Sequence, residues 1–163
     1  MLNMIESEVQ DRPAEEGVSP RPLRFTLGTL DRNVGVHISF AGAAIHKHLL
    51  SQLEPFGLTQ KQVAILWLIV ENPEIAKSDL ARLLWVERAT IQIMVKSLVD
   101  RGLLSQEPSP SDGRRIVLSL TEEGKAVFPR AKAAVERHEE WLKERFSAAE
   151  VTQVTDLMKR VYA

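Results

Sequence analysis

The chain has 163 residues, 21 Lys and Arg against 22 Asp and Glu, no cysteine, and 44% apolar residues. That length suits one domain, or one domain with an appended element too small to fold alone; the missing thiols exclude disulfides, thiolate metal sites and thiol redox switching, and nothing calls for an oxidising compartment. The near-neutral balance excludes a wholesale polyanion binder, so any nucleic-acid role must come from local placement of charge.

Residues 1–24 hold Pro13, Pro20, Pro22 and Gly17, with five acids against three bases and no apolar period. This composition predicts a mobile tail, and the acids argue against a signal peptide. From 31 to 53 the pattern is helical, with Val34, Ile38, Ala41, Ile45 and Leu49 on one face. Gly35 and Gly42 lower helix propensity there but permit close approach of a helix or ligand. Pro55 and Gly57 end the segment.

Thr59-Gln60-Lys61-Gln62 reads as a capping box, with Leu58 and Val63 as its hydrophobic staple. The helix it opens runs to about Val70 and is apolar nearly all round, which predicts the buried centre of a domain. Its stretch 63–70 is the longest apolar run, eight residues. A membrane span needs roughly 20, so a soluble, cytoplasmic protein is expected.

Asn72-Pro73 stops that helix. Two short helices are predicted at 77–84 and 88–101, separated by Trp85-Val86-Glu87, with Gly102 in the place of a C-terminal cap. The period then changes to two. Residues 103–107 and 115–120 read as strands joined by a turn-rich link, a hairpin with a projecting tip. Thr121 is placed to cap a long helix to about Arg145, with Glu122 and Glu123 at its positive end and Pro129 predicting a kink or an early break. Ser147-Ala-Ala-Glu150 is a second capping box, with Phe146 and Val151 as staple, opening a last helix to about Tyr162.

The predicted fold class is mainly α with a small β-hairpin. A winged helix-turn-helix lobe at 58–120 follows a mobile tail at 1–24 and an N-terminal helical segment at 25–57; a C-terminal helical pair occupies 121–163. The outer helices carry apolar faces that the central lobe is too small to cover, which predicts a homodimer.

The helix at 88–101 carries the chemistry. Ile91, Met94, Val95 and Leu98 form an inward stripe, leaving Arg88, Thr90, Gln92, Ile93, Lys96 and Ser97 outside. Such a helix can enter a DNA major groove, where Gln reads adenine, Arg reads guanine, and Thr or Ile touches a thymine methyl. The same pattern also suits a solvated helix of any small bundle, and Glu87 and Asp100 dilute its charge. Lys77 and Ser78, opening the preceding helix, belong to the DNA-facing set. The hairpin tip adds Arg114 and Arg115 for phosphate or minor-groove contact, with Asp112 placed to hold Arg114 by a charge-assisted hydrogen bond. Helix and basic tip together favour DNA binding.

Over 31–163, and most closely over 80–124, the chain resembles the MarR family of bacterial winged-helix regulators. The resemblance rests on the Leu80-Ala81 start, the Thr90-Ile-Gln92 core, Asp100-Arg-Gly-Leu-Leu104, Asp112-Gly-Arg114 in the wing, and Leu120-Thr-Glu-Glu-Gly124. It implies an obligate homodimer formed by the first and last two helices. Residues 88–98 would lie in a major groove and Arg114 in the neighbouring minor groove of a palindromic operator of one or two helical turns. Three positions depart from the family pattern: Glu87 stands where Ser or Thr is usual, Ile93 where a basic or polar residue is common, and Gln106 where an Arg often opens the wing.

The resemblance also implies a repressor released by a small anionic aromatic compound or its coenzyme A thioester. The effector residues to watch are Arg32, His37, Phe40 and Trp67; at helical spacing Phe40 and Trp67 are more often core, and His37 is more often a helix-surface or interface residue. His46 and His48 do not share a helix face and offer no metal site. His138 among Glu136, Glu139 and Glu140 reads as a solvated charged face. No phosphate loop, Cys nucleophile or metal motif is present, so neither an enzyme nor a cofactor is expected. The alternative is a winged-helix protein-interaction module without ligand response.

Overall fold

A computed structural model describes residues 25–108 and 116–162. Six α-helices and one two-stranded sheet follow in order: α1 Val34–Leu53, α2 Gln60–Glu71, α3 Lys77–Leu83, α4 Arg88–Asp100, β1 Leu104–Pro108, β2 Ile116–Leu120, α5 Glu122–Lys143 and α6 Ala148–Tyr162. This is the expected class, helical with a hairpin. The 1–24 tail and the tip residues Asp112, Arg114 and Arg115 lie outside the described residues.

Most element boundaries follow the local chemistry. Thr59 accepts from the Gln62 backbone N–H at 3.2 Å while the Gln62 side chain accepts from the Thr59 N–H at 3.0 Å, the reciprocal pair of a capping box. Leu58 and Val63, its staple, are both buried. Thr121 accepts from the Gly124 N–H at 3.0 Å and starts α5. Ser147 and Glu150 form the second box. At the end of α4, Gly102 adopts φ +69°, with Gly102 N–H donating to the Val99 carbonyl at 2.8 Å and Leu103 N–H to the Leu98 carbonyl at 2.9 Å. That pair is a Schellman motif, and it turns the chain into β1.

Three expectations need correction. The first helix does not begin at Asp31: a 3-10 turn Gly28–Arg32 comes first, and α1 starts at Val34 because Asn33 accepts from the Val36 N–H. Pro129 does not break α5, which is one helix from Glu122 to Lys143. Pro129 and Lys125, whose carbonyl loses its intrahelical donor, are both exposed, where water can replace the missing bond. His138 is not solvated. It is 2% exposed and lies in the α1–α5 seam, with its Nδ1 2.7 Å from Nδ1 of His48. One ring must donate and the other accept. The His48 ring stacks on Trp141 at 3.9 Å between centroids, and the Arg145 guanidinium lies over the same indole at 3.8 Å. The acidic neighbours of His138 in sequence point elsewhere on the helix, which is why they mislead.

One core joins the elements. Leu49 and Leu53 from α1, Ile65, Leu66 and Ile69 from α2, Leu80 from α3, Ile91, Val95 and Leu98 from α4, Leu118 from β2 and Phe128, Ala131 and Ala134 from α5 are all buried. The strands pair antiparallel, Leu104 opposite Leu120 through Pro108 opposite Ile116. Gly124 permits the close seat of α5 on this unit: a β-carbon there would stand 2.1 Å from the Leu103 carbonyl oxygen. α6 and the N-terminal half of α1 behave differently. α6 buries no side chain, and Val34, Ile38, Phe40, Val154, Leu157 and Val161 are exposed. No described helix is long and apolar enough to cross a membrane.

Candidate nucleic-acid interface

α4 divides its side chains sharply. Ile91, Val95 and Leu98 are buried and Met94 is half-buried, so the helix is fixed by its inner stripe. Its outward side presents Arg88, Gln92, Ile93 and Lys96, all exposed, Ile93 at 71%. Thr90 is half-buried at the margin. Ser97 is drawn inward instead: it is half-buried and accepts from the Gln62 side-chain amide at 3.3 Å, so it serves the α2–α4 contact. Glu87 sits at the N-cap with no side-chain hydrogen bond, leaving the first α4 amides uncapped by protein.

The polar groups beside this face are already engaged. Lys77, first residue of α3, donates to Oε1 of Gln92 at 3.2 Å and to Oε1 of Gln106 on β1 at 2.8 Å. These side chains with Ile93 and Lys96 line a shallow recess of about 340 Å³. Lys96 pairs with Asp100 at 2.5 Å, so part of its charge is met within the helix. Arg101, pointing away from the outer face, donates to the backbone carbonyls of Gly57 and Phe56 at 2.6 and 2.8 Å, tying the end of α4 to the chain before α2. No pattern in the sequence marks that bond, because its partners are carbonyls 44 and 45 residues away.

At the other end of α4 the α3–α4 turn is held by Trp85 in a left-handed conformation, φ +52°. Trp85 is 72% exposed and meets Tyr162 of α6 edge to face at 6.2 Å. Ser78, half-buried, lines an open recess of about 640 Å³ with Arg82, Trp85 and Arg88.

The four expected effector residues fall into two places. Arg32 closes the 3-10 turn, His37 Nε2 bonds the Asp31 backbone carbonyl at 2.7 Å, and Phe40 is exposed one turn on. Trp67 belongs to the α2–α5 face. It meets Phe128 edge to face at 6.3 Å, with the Lys132 ammonium 4.5 Å above its ring. No hydrogen bond, ion pair or ring contact among the described residues joins Trp67 to the other three. Lys132 was not marked by sequence reasoning, since its partner aromatic is on another helix.

This geometry is similar to that of known regulators. The profile of the MarR family matches residues 56–115, the span from the end of α1 through the helix-turn-helix to the wing. A putative transcriptional regulatory protein for the hcr operon from Thauera aromatica is 29% identical over 136 residues, 83% of this chain and 82% of its own length.

Over residues 56–115 the chain matches the MarR family.

Among solved structures, the fold matches the transcriptional repressor CouR bound to a 23-mer DNA duplex with a TM-score of 0.78 at 28% identity, covering 86% of this chain and all of that one. It also matches CouR from Rhodococcus jostii RHA1 bound to p-coumaroyl-CoA, with a TM-score of 0.73 at 26% identity over 81% of this chain and 93% of the other. Within the segment that matches the MarR family, α3 and α4 are placed as a helix-turn-helix pair and β1 and β2 as a wing.

Proposed function

We propose that the protein is a DNA-binding transcriptional repressor that acts as a homodimer and leaves its operator when a small anionic aromatic acid, or its coenzyme A thioester, binds. The observation that carries this reading is α4: one side locked in the core, the other presenting Arg88, Gln92, Ile93 and Lys96 to solvent beside the hairpin. That arrangement has the size and polarity of a major-groove reader. Its likeness to a DNA-bound repressor over the whole of that repressor supports the reading.

The lobe at 58–120 binds DNA, with Lys77, Ser78, Arg88, Thr90, Gln92, Ile93 and Lys96 at the interface and Arg114 and Arg115, positioned by Asp112, at the wing. The segments 25–57 and 121–163 pair two copies. Exposed apolar residues on both outer helices support this, because a monomer rarely leaves such faces open. For the effector, Trp67 under Lys132 offers an aromatic wall with a cation, the combination an aromatic carboxylate requires. No step of this activity is catalytic.

The test is a gel shift on the region upstream of the gene at rising salt, followed by titration of aromatic acids and their coenzyme A thioesters. The expected result is a shift that weakens steeply with salt and is reversed by one ligand class. A well-formed dimer that shifts no DNA even at low salt would favour the protein-interaction reading.

A further inference from the structure

We propose that Lys77 and Gln106 are positioning residues that fix which end of the Gln92 amide reads DNA, so that the wing strand takes part in choosing the base. The inference rests on the DNA-binding reading above and sharpens it. Three elements converge on one ammonium. Lys77 begins α3, Gln92 lies on the outward side of α4, and Gln106 is on β1. Lys77 Nζ stands 3.2 Å from Gln92 Oε1 and 2.8 Å from Gln106 Oε1.

The chemistry of an ammonium sets the direction of both amides. It has three donors and no acceptor, so only the oxygen of a neighbouring amide can face it. A glutamine free in solvent turns either way and pairs in two-point fashion with adenine, accepting from N6 and donating to N7. Here the Gln92 oxygen is turned toward Lys77, and its NH₂ is the end left to meet a partner. With one of the oxygen's two lone pairs held by the ammonium, the NH₂ is the freer end and seeks acceptors, and the major-groove edge richest in them is guanine, with N7 and O6. Gln106 matters because it holds the same ammonium from the wing strand. Lys77 therefore acts through Gln92 rather than as one more phosphate contact.

The test is selection of bound duplexes from a pool of random-sequence DNA, followed by sequencing, for the full-length protein and its Gln92→Ala, Lys77→Met and Gln106→Leu variants. Thermal melts confirm folding, which the exposure of Gln92 and Gln106 and the half-exposure of Lys77 favour. The base position read by Gln92 is the one whose preference disappears in Gln92→Ala. At that position the parent is expected to prefer guanine over adenine by roughly tenfold. Lys77→Met and Gln106→Leu are expected to move that preference toward adenine while the other positions of the site read as before. Lys77→Met combined with Gln92→Ala should read like Gln92→Ala alone at that position. A uniform loss of affinity with unchanged base preference, and a salt slope lowered by about one, would assign Lys77 to a phosphate and overturn the proposal. So would an adenine preference in the parent. No sequence enrichment by the parent would overturn the DNA-binding reading itself, and this inference with it.

Discussion

At Gly124 a single methyl group decides whether α5 can sit on the wing. Its β-carbon would overlap the Leu103 carbonyl oxygen, a backbone atom that cannot swing aside. Gly124→Ala is expected to destabilise the protein by about 3 kcal/mol, the upper part of the range for overpacking, read as a lower Tm with the helix content kept. The glycine is visible in the sequence as part of the Leu120–Gly124 motif; its reason is not, since Leu103 lies across the hairpin. His138 shows the same limit from the other side. Burial, and then the charge of His48, hold its imidazole below the ordinary histidine pKa, with Glu139 pulling it up less strongly. The folded state thus binds fewer protons than the unfolded chain as pH falls below about 6.5. The stability this group contributes is present above that pH and is lost as pH falls toward and through its lowered value. Tm measured from pH 8 to pH 5 should fall on the acid side, and His138→Phe should flatten that part of the curve.

At the scale of elements, helix starts were the most legible feature and seams between helices the least. The boxes at Thr59 and Ser147 and the cap at Thr121 are local contacts within four residues, so residue type alone announces them. The inward stripe of α4 was legible for the same reason, through its period. Ser97 was not, because its inward turn depends on Gln62 from α2. α4 also has a weak start. Glu87 makes no side-chain cap, and its carboxylate lies at the N-terminal end of the helix. Glu87→Ser is expected to add about 1 kcal/mol of stability by capping the free amides, and to tighten DNA binding most at low salt by removing a like charge. Chemical denaturation and gel shifts at two salt concentrations would measure both effects; a tighter cap with weaker binding would show that Glu87 contacts DNA productively.

The whole molecule is two unequal parts: a lobe with a continuous core, and outer helices whose apolar sides face solvent. α6 is the clearest case, with Leu157 and Val161 exposed along one side and no buried residue. Replacing both by Glu is expected to give monomers by light scattering, at little cost to the melting of the lobe. Operator affinity should then fall by at least tenfold, because each half-site would be held by one α4 alone. A double variant that stays dimeric would move the interface elsewhere. The small net charge bears on this scale too. Residues 86–120 hold five bases against four acids, and the pairing of Lys96 with Asp100 lowers the free charge of α4 further. Affinity must lean on base contacts and on dimer geometry.

By itself the sequence determined what neighbours along the chain can settle: the order of helices and hairpin, the capped starts, the inner stripe of α4, and through these the winged helix-turn-helix class. Periodicity and capping act over a few residues, so they survive without a tertiary structure. Only the fold decided what depends on distant partners. It buried His138 against His48, carried α5 past Pro129, turned Ser97 inward, bound Arg101 to carbonyls before α2, and brought Lys77, Gln92 and Gln106 from three elements to one point. In every case but Pro129, where water replaces the lost bond, the energy comes from a contact between segments far apart in sequence, and a reading along the chain cannot see the other half of the pair.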